Sequence, residues 1–164
     1  MHSKDQEAFR AVLLADYHLS NRLPHARTLP GEGGITDRFK DQLEVGRRAV
    51  EEAKRINGPI IVVGDFYDKA QLDPITLTES IRMMVDSGVE WWILPGNHDS
   101  ASLSGGRFNV EALGIMGCDK VRTLSMDDVM ARSGWELHFL PFASIAENRQ
   151  QLSILREHRP IRGA

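Results

Sequence analysis

Gly58-Pro59-Ile60-Ile61-Val62-Val63-Gly64-Asp65 is the stretch whose reading decides the fold. Its apolar centre carries no polar residue at alternate positions, which is the pattern of a strand buried on both faces, and it ends by delivering a carboxylate. Working upstream, Thr36 reads as an N-cap, and Phe39, Leu43, Val45, Ala49, Val50, Ala53 and Ile56 recur at helical spacing until Asn57-Gly58 stops the helix. Further upstream, Ala11-Val12-Leu13-Leu14-Ala15 is a second buried-strand signal, closed by Asp16. Downstream, Pro74 to Ser87 reads as a helix opened by proline, with Ile75, Leu77, Ile81, Met84 and Val85 as its apolar positions and Gly88 at its end. Val89 to Leu94 is a third strand running into Pro95-Gly96-Asn97-His98-Asp99. Beyond it the pattern predicts a short helix over 107–116, strands over 120–124 and 137–142, and a helix over 145–158. Strand and helix alternating in this way specify an α/β fold with a largely parallel sheet flanked by helices, and in such folds functional groups collect beyond the carboxyl ends of the strands.

The chain has 164 residues, 20 Lys+Arg against 23 Asp+Glu for a net charge of −3, and 41% hydrophobic residues, which fits one globular domain over 1–164. The slight acidic excess gives no long-range attraction to nucleic acid. A single cysteine, Cys118, forms no internal disulfide, which excludes a stapled secreted scaffold and makes the cytoplasm the expected compartment. No apolar run approaches the roughly 20 residues a bilayer requires, so no membrane association is expected. Residues 1–9 are polar and charged and are expected to form a flexible terminus. Asn21 to Gly34, with two prolines and three glycines, is expected to be an irregular surface loop.

Three polar clusters fall at predicted strand ends. Asp16-Tyr17-His18 is either a turn with a solvated histidine or a chelating pair, since an extended i, i+2 spacing points both side chains the same way. Gly64-Asp65-Phe66-Tyr67-Asp68 is either a turn whose aspartates cap backbone amides or a carboxylate able to serve two cations. Gly96-Asn97-His98-Asp99 joins an amide oxygen, an imidazole and a carboxylate, the groups that can supply a neutral ligand, a proton donor and a partner that fixes the donor's tautomer. Their conjunction at the ends of neighbouring strands favours one site over three independent turns.

These clusters resemble the opening motifs D-x-H, G-D-x-x-D and G-N-H-D/E of the calcineurin-like metallophosphoesterases. Within that family, His18-Leu19, Gly-Asp-Phe-Tyr-Asp, Pro-Gly-Asn-His-Asp and Leu140-Pro141-Phe142 are most similar to the SbcD/Mre11 DNA nuclease branch. The resemblance spans roughly residues 10 to 145. It implies the amino-terminal part of a four-layer α/β sandwich, with Asp16 and His18 binding one metal, Asp65 bridging two, Asn97 binding the second, and His98 catalytic at the leaving group, oriented by Asp99. It implies Mn²⁺, with Mg²⁺, Fe or Zn²⁺ as alternatives, as hard oxygen ligands mixed with imidazole would suit, and a two-metal clamp on a phosphodiester. DNA as substrate, an SbcC/Rad50-like ATPase partner and a homodimer follow from the same resemblance.

The family's two later histidine motifs, a histidine at a strand end and a Gly-His-x-His, are absent. His138 and His158 read as structural or solvent-facing, and His2 and His25 as terminus and loop residues. The expectation is therefore a truncated or naturally shortened domain holding at most one firm ion. A small-substrate phosphatase or phosphodiesterase, and a catalytically incomplete binding or dimerisation module, are the competing expectations. Trp91-Trp92 reads as core packing in preference to a base-stacking platform, Met83-Met84 as a helix core face, and Arg22, Arg27, Arg38, Lys40 and Arg107 as solvated surface in preference to phosphate contacts.

Overall fold

The computed structural model describes residues 8–101, 107–115, 117–125, 128–132, 135–140, 142–143 and 145–157. The elements run β1 (Val12–Leu14), α1 (Asp37–Ile56), β2 (Ile60–Val63), α2 (Pro74–Ser87), β3 (Trp91–Leu94), α3 (Glu111–Ile115), β4 (Val121–Thr123), β5 (Val129–Arg132), β6 (Trp135–His138) and α4 (Ile145–Glu157). Strands β1-β2-β3-β4 form one parallel sheet in that order, and β5-β6 form an antiparallel pair. The mixed α/β architecture with a parallel sheet flanked by helices is the one the sequence predicts.

Each helix ends where local chemistry requires. Asp73 caps α2 by accepting from the Ile75 and Thr76 amides, both at 3.1 Å, and Pro74 follows at the first helical position. Asn57 closes α1 and Gly88 closes α2 in the left-handed conformation. Thr36 stands at the N-cap of α1 without a side-chain capping bond; its hydroxyl instead donates to the Asn21 carbonyl at 3.4 Å.

The strand order follows chain order, so every crossover steps the same way across the sheet. With the constant hand of such crossovers, the connecting helices collect on a single face. The packing agrees: Phe39, Leu43, Ala53, Met84 and Leu113 from the three helices share one core with Ile60, Val62, Trp91, Ile93 and Val121. Alternate residues turn the other way, where Ile61 and Trp92 pack with Leu124 and Phe139, bordered by Phe9, Met130 and Leu137. No helix among the described residues is long and apolar enough to cross a membrane.

Several expectations are corrected. β1 is an edge strand whose Leu13 is 65% exposed, because it pairs on one side only and no crossover helix reaches that face. Val45 and Val85 lie on exposed helix surface; Gly46 takes the buried place on α1, where its missing Cβ admits the Tyr17 hydroxyl and Met83. The expected strand over 137–142 is an antiparallel pair whose second strand stops at His138, and α3 is confined to five residues. Phe9 belongs to the folded unit, its ring stacked on Trp92 with centroids 6.0 Å apart. Trp91 and Trp92 are fully buried, Trp91 donating to the Ser87 hydroxyl at 3.1 Å and Trp92 to the Glu90 carboxylate at 3.2 Å, so neither of these two is a stacking platform. His2, Pro141 and His158 lie outside the described residues.

Trp92 anchors the face that no crossover helix covers. Replacing it with Ala should lower unfolding free energy by about 3–5 kcal/mol, read as a shifted urea midpoint. An unchanged midpoint would show that this second cluster contributes nothing to the core.

Candidate metal centre

Past Leu14 and Val63 the two loops leave the sheet without separating. The His18 amide donates to the Asp65 carbonyl at 3.0 Å and the Leu19 amide to the Phe66 carbonyl at 2.9 Å, and Leu19 and Tyr67 form a parallel bridge. Within this paired run Asp16, His18 and Asp65 have φ of 49°, 48° and 48°, the left-handed region that side chains other than glycine's avoid. Such conformers persist where surrounding bonds over-determine them, and they gather at functional sites. They also replace the extended i, i+2 geometry that would have aligned Asp16 with His18.

The third loop is tied to the second by a buried carboxylate. Asp99 is fully buried and accepts three backbone amides, from Gly96 at 2.9 Å, Phe66 at 3.1 Å and Tyr67 at 3.0 Å. Burial pushes its carboxyl above the usual range; the three amides pull the other way. Asp65 in turn accepts the His98 amide at 2.9 Å on Oδ1. The contact is close enough that a Cβ on Gly96 would fall 2.8 Å from the Asp65 Cγ, so only glycine fits there.

These bonds bring His18, Asp65 and His98 together, with one donor atom from each lying within 4.8 Å of the other two. His18 Nε2 is 4.0 Å from the Asp65 carboxylate, and the two imidazoles meet edge to face with centroids 4.6 Å apart. His98 Nδ1 donates to the Asp68 carbonyl at 2.7 Å, which leaves Nε2 turned to other work. That bond, followed by the charges of Asp65, Asp68 and Asp99, raises the His98 pKa above its ordinary value.

His18 Nδ1 is buried and has no hydrogen-bond partner among the described residues; the nearest carboxylate oxygen, on Asp68, is 3.8 Å away, beyond hydrogen-bond range. Two imidazoles and a carboxylate gathered this closely, with His18 Nε2 toward Asp65 and its Nδ1 toward Asp68, are a donor set that fits a divalent cation.

The other residues named from sequence lie nearby in the chain but differently. Asp16 is exposed at the bend after β1 and is not one of the three clustered groups, and Asn97 is exposed in the turn after β3, its carbonyl accepting from Ser100 at 3.3 Å. Asp99 does not orient His98, because its oxygens are occupied by backbone amides; the Asp68 carbonyl does so instead. His138 is on β6, 3.8 Å from Glu136, and outside the cluster. Lys40 pairs with Glu32. Sequence reasoning missed Gln42, whose side chain bonds the His18 loop from α1; a polar residue on a helix carries no sign of such a task.

Ligating groups gathered where parallel strands end make a candidate metal site in the position where α/β folds collect functional groups. The model of the calcineurin-like phosphoesterase family matches residues 9–162, and the chain belongs to that family. Its reaction is metal-dependent phosphoester hydrolysis. Comparison with curated proteins returns no match.

Asp99→Asn preserves shape but turns an acceptor set partly into a donor facing backbone amides. It should cost about 1.5–3 kcal/mol of stability and weaken divalent-cation binding, checked by urea denaturation and calorimetric titration of the same samples.

Proposed function

We propose that this chain carries a phosphodiester-hydrolysing centre of the SbcD/Mre11 nuclease type, acting on DNA. The observation that carries the hydrolytic part is the gathering of His18, Asp65 and His98, with one donor atom from each within 4.8 Å of the others, just past the ends of β1, β2 and β3. The nuclease part is supported by the local sequence, Gly-Asp-Phe-Tyr-Asp and Pro-Gly-Asn-His-Asp among it.

In this reading Asp16, His18, Asp65 and Asn97 are the residues that would hold divalent ions, Asp16 and His18 one ion, Asn97 a second, and Asp65 both. Mn²⁺ is the proposed ion, with Mg²⁺, Fe and Zn²⁺ as alternatives. Bound ions supply positive charge that offsets the charge building up during in-line displacement at phosphorus. The chain supplies position and protons. His98, fixed through Nδ1 by the Asp68 carbonyl, presents Nε2 as the atom that hands a proton to the leaving oxygen. Its raised pKa favours the protonated, donating form. Leu19, Phe66 and Tyr67, the residues that give the motifs their branch character, are fully buried and seat the loops, with the Tyr67 hydroxyl 2.7 Å from that of Ser80. A DNA substrate, an SbcC/Rad50-like ATPase partner, a homodimer and a cytoplasmic location complete the proposal.

The test assays single-stranded DNA and a small bis-aryl phosphodiester in parallel under Mn²⁺. DNA hydrolysis is expected, falling roughly 10²–10⁴-fold in His98→Ala and lost in Asp65→Asn. Hydrolysis of the small ester alone would overturn the nuclease reading. No hydrolysis of either, with DNA binding untouched by Asp65→Asn, would make the chain a binding module.

A further inference from the structure

The left-handed backbone at Asp16 and His18 needs something to hold it. The loop after β2 contributes through the Asp65 carbonyl, which takes the His18 amide, but the outward side of the loop must be held as well. That side faces α1, and one residue meets it. The Gln42 amide nitrogen donates to the His18 carbonyl at 2.8 Å and to the Tyr17 carbonyl at 3.4 Å, and its side-chain oxygen accepts the Ser20 amide at 3.1 Å. Its own backbone carbonyl accepts the Tyr17 hydroxyl at 2.5 Å. Four bonds thus join one helical residue to the three loop residues that contain and flank His18.

A second observation points the same way. One turn on, Gly46 is the buried glycine of α1, and an added Cβ there would stand 2.7 Å from the Tyr17 hydroxyl. The helix surface is hollowed where Tyr17 lies across it, so loop and helix are fitted over both bonds and shape.

We propose that Gln42 is a positioning residue for the metal centre: by clamping the backbone on both sides of His18 it holds the imidazole where a cation can be shared with Asp65. The inference rests on the metal-binding reading given above. Partners that orient a ligand from outside the coordination shell change metal affinity by roughly 10- to 100-fold, and Gln42 orients the backbone from which the ligand projects. The kinetic consequence is specific. Once the ion is bound, it holds His18 itself, so removing the clamp raises the Mn²⁺ concentration needed for half-maximal turnover while leaving turnover at saturating Mn²⁺ nearly unchanged.

The test titrates Mn²⁺ into wild type, Gln42→Leu and Asp65→Asn and follows the free ion by electron paramagnetic resonance. Gln42→Leu keeps the side-chain volume and removes every side-chain bond to the loop; Gln42→Met, unbranched and of similar length, is the second variant should the first not fold. The expected result is Mn²⁺ affinity about tenfold weaker in the Gln42 variant, with a native circular dichroism spectrum. Loss of binding in Asp65→Asn together with wild-type affinity in a folded Gln42 variant would overturn the role of Gln42 alone. Equal binding by wild type and Asp65→Asn would overturn the metal reading and the inference with it. A lower urea midpoint at unchanged Mn²⁺ affinity would mark Gln42 as structural only, and so also overturns the proposal.

Discussion

A carboxylate taken out of water demands strong partners, and the Asp99 side chain finds three backbone amides drawn from two different loops. Isolated, a buried charge of this kind would be prohibitive. Satisfied, it turns the gap between the β2 and β3 loops into a fixed distance. Asp65 can then reach the His98 amide, and Gly96 can pass against Asp65 with no room for a side chain. The relation of Asp65 to His98 is thus settled by a residue that meets no ligand. Gln42 does the corresponding work between α1 and the first loop.

Much of this architecture was legible from residues close together in the chain. The run 60–63 and the caps at Asp73, Asn57 and Gly88 act within a few positions, so strands and helices through β3 emerged near their observed limits. The motif residues His18, Asp65 and His98 were legible because each lies within four residues of a strand end. What local pattern could not convey was pairing at long range. The exposure of Leu13 depends on which strand lies at the edge, and the burial of Trp92 depends on Phe9 and Phe139, distant in sequence and near in space. The true partners of Asp99 and Gln42 are backbone atoms, which every residue carries and no side-chain motif advertises.

The sheet also explains why the site is lopsided. Strands ordered as they occur in the chain send α1, α2 and α3 to one face, and the loops leaving β1 and β2 are braced from that side by α1 and α2. Asn21 shows the bracing at a distance, its amide donating to the Thr76 hydroxyl of α2 and its side chain accepting from Thr36 at the start of α1. The other face receives Phe9, Met130, Leu137 and Phe139 but leaves Leu13 and Val63 exposed.

The ladder that continues beyond β1 and β2, through the His18 and Leu19 amides, has a bearing on time as well as on shape. Loops on a sheet commonly open by themselves, at little free-energy cost, while the core stays shut. Here the first two ligand-bearing segments bond to each other just beyond the strand ends, so neither opens without breaking its bonds to the other. An ion that bound only the closed arrangement would stabilise the folded chain, by an amount that grows with the logarithm of its concentration.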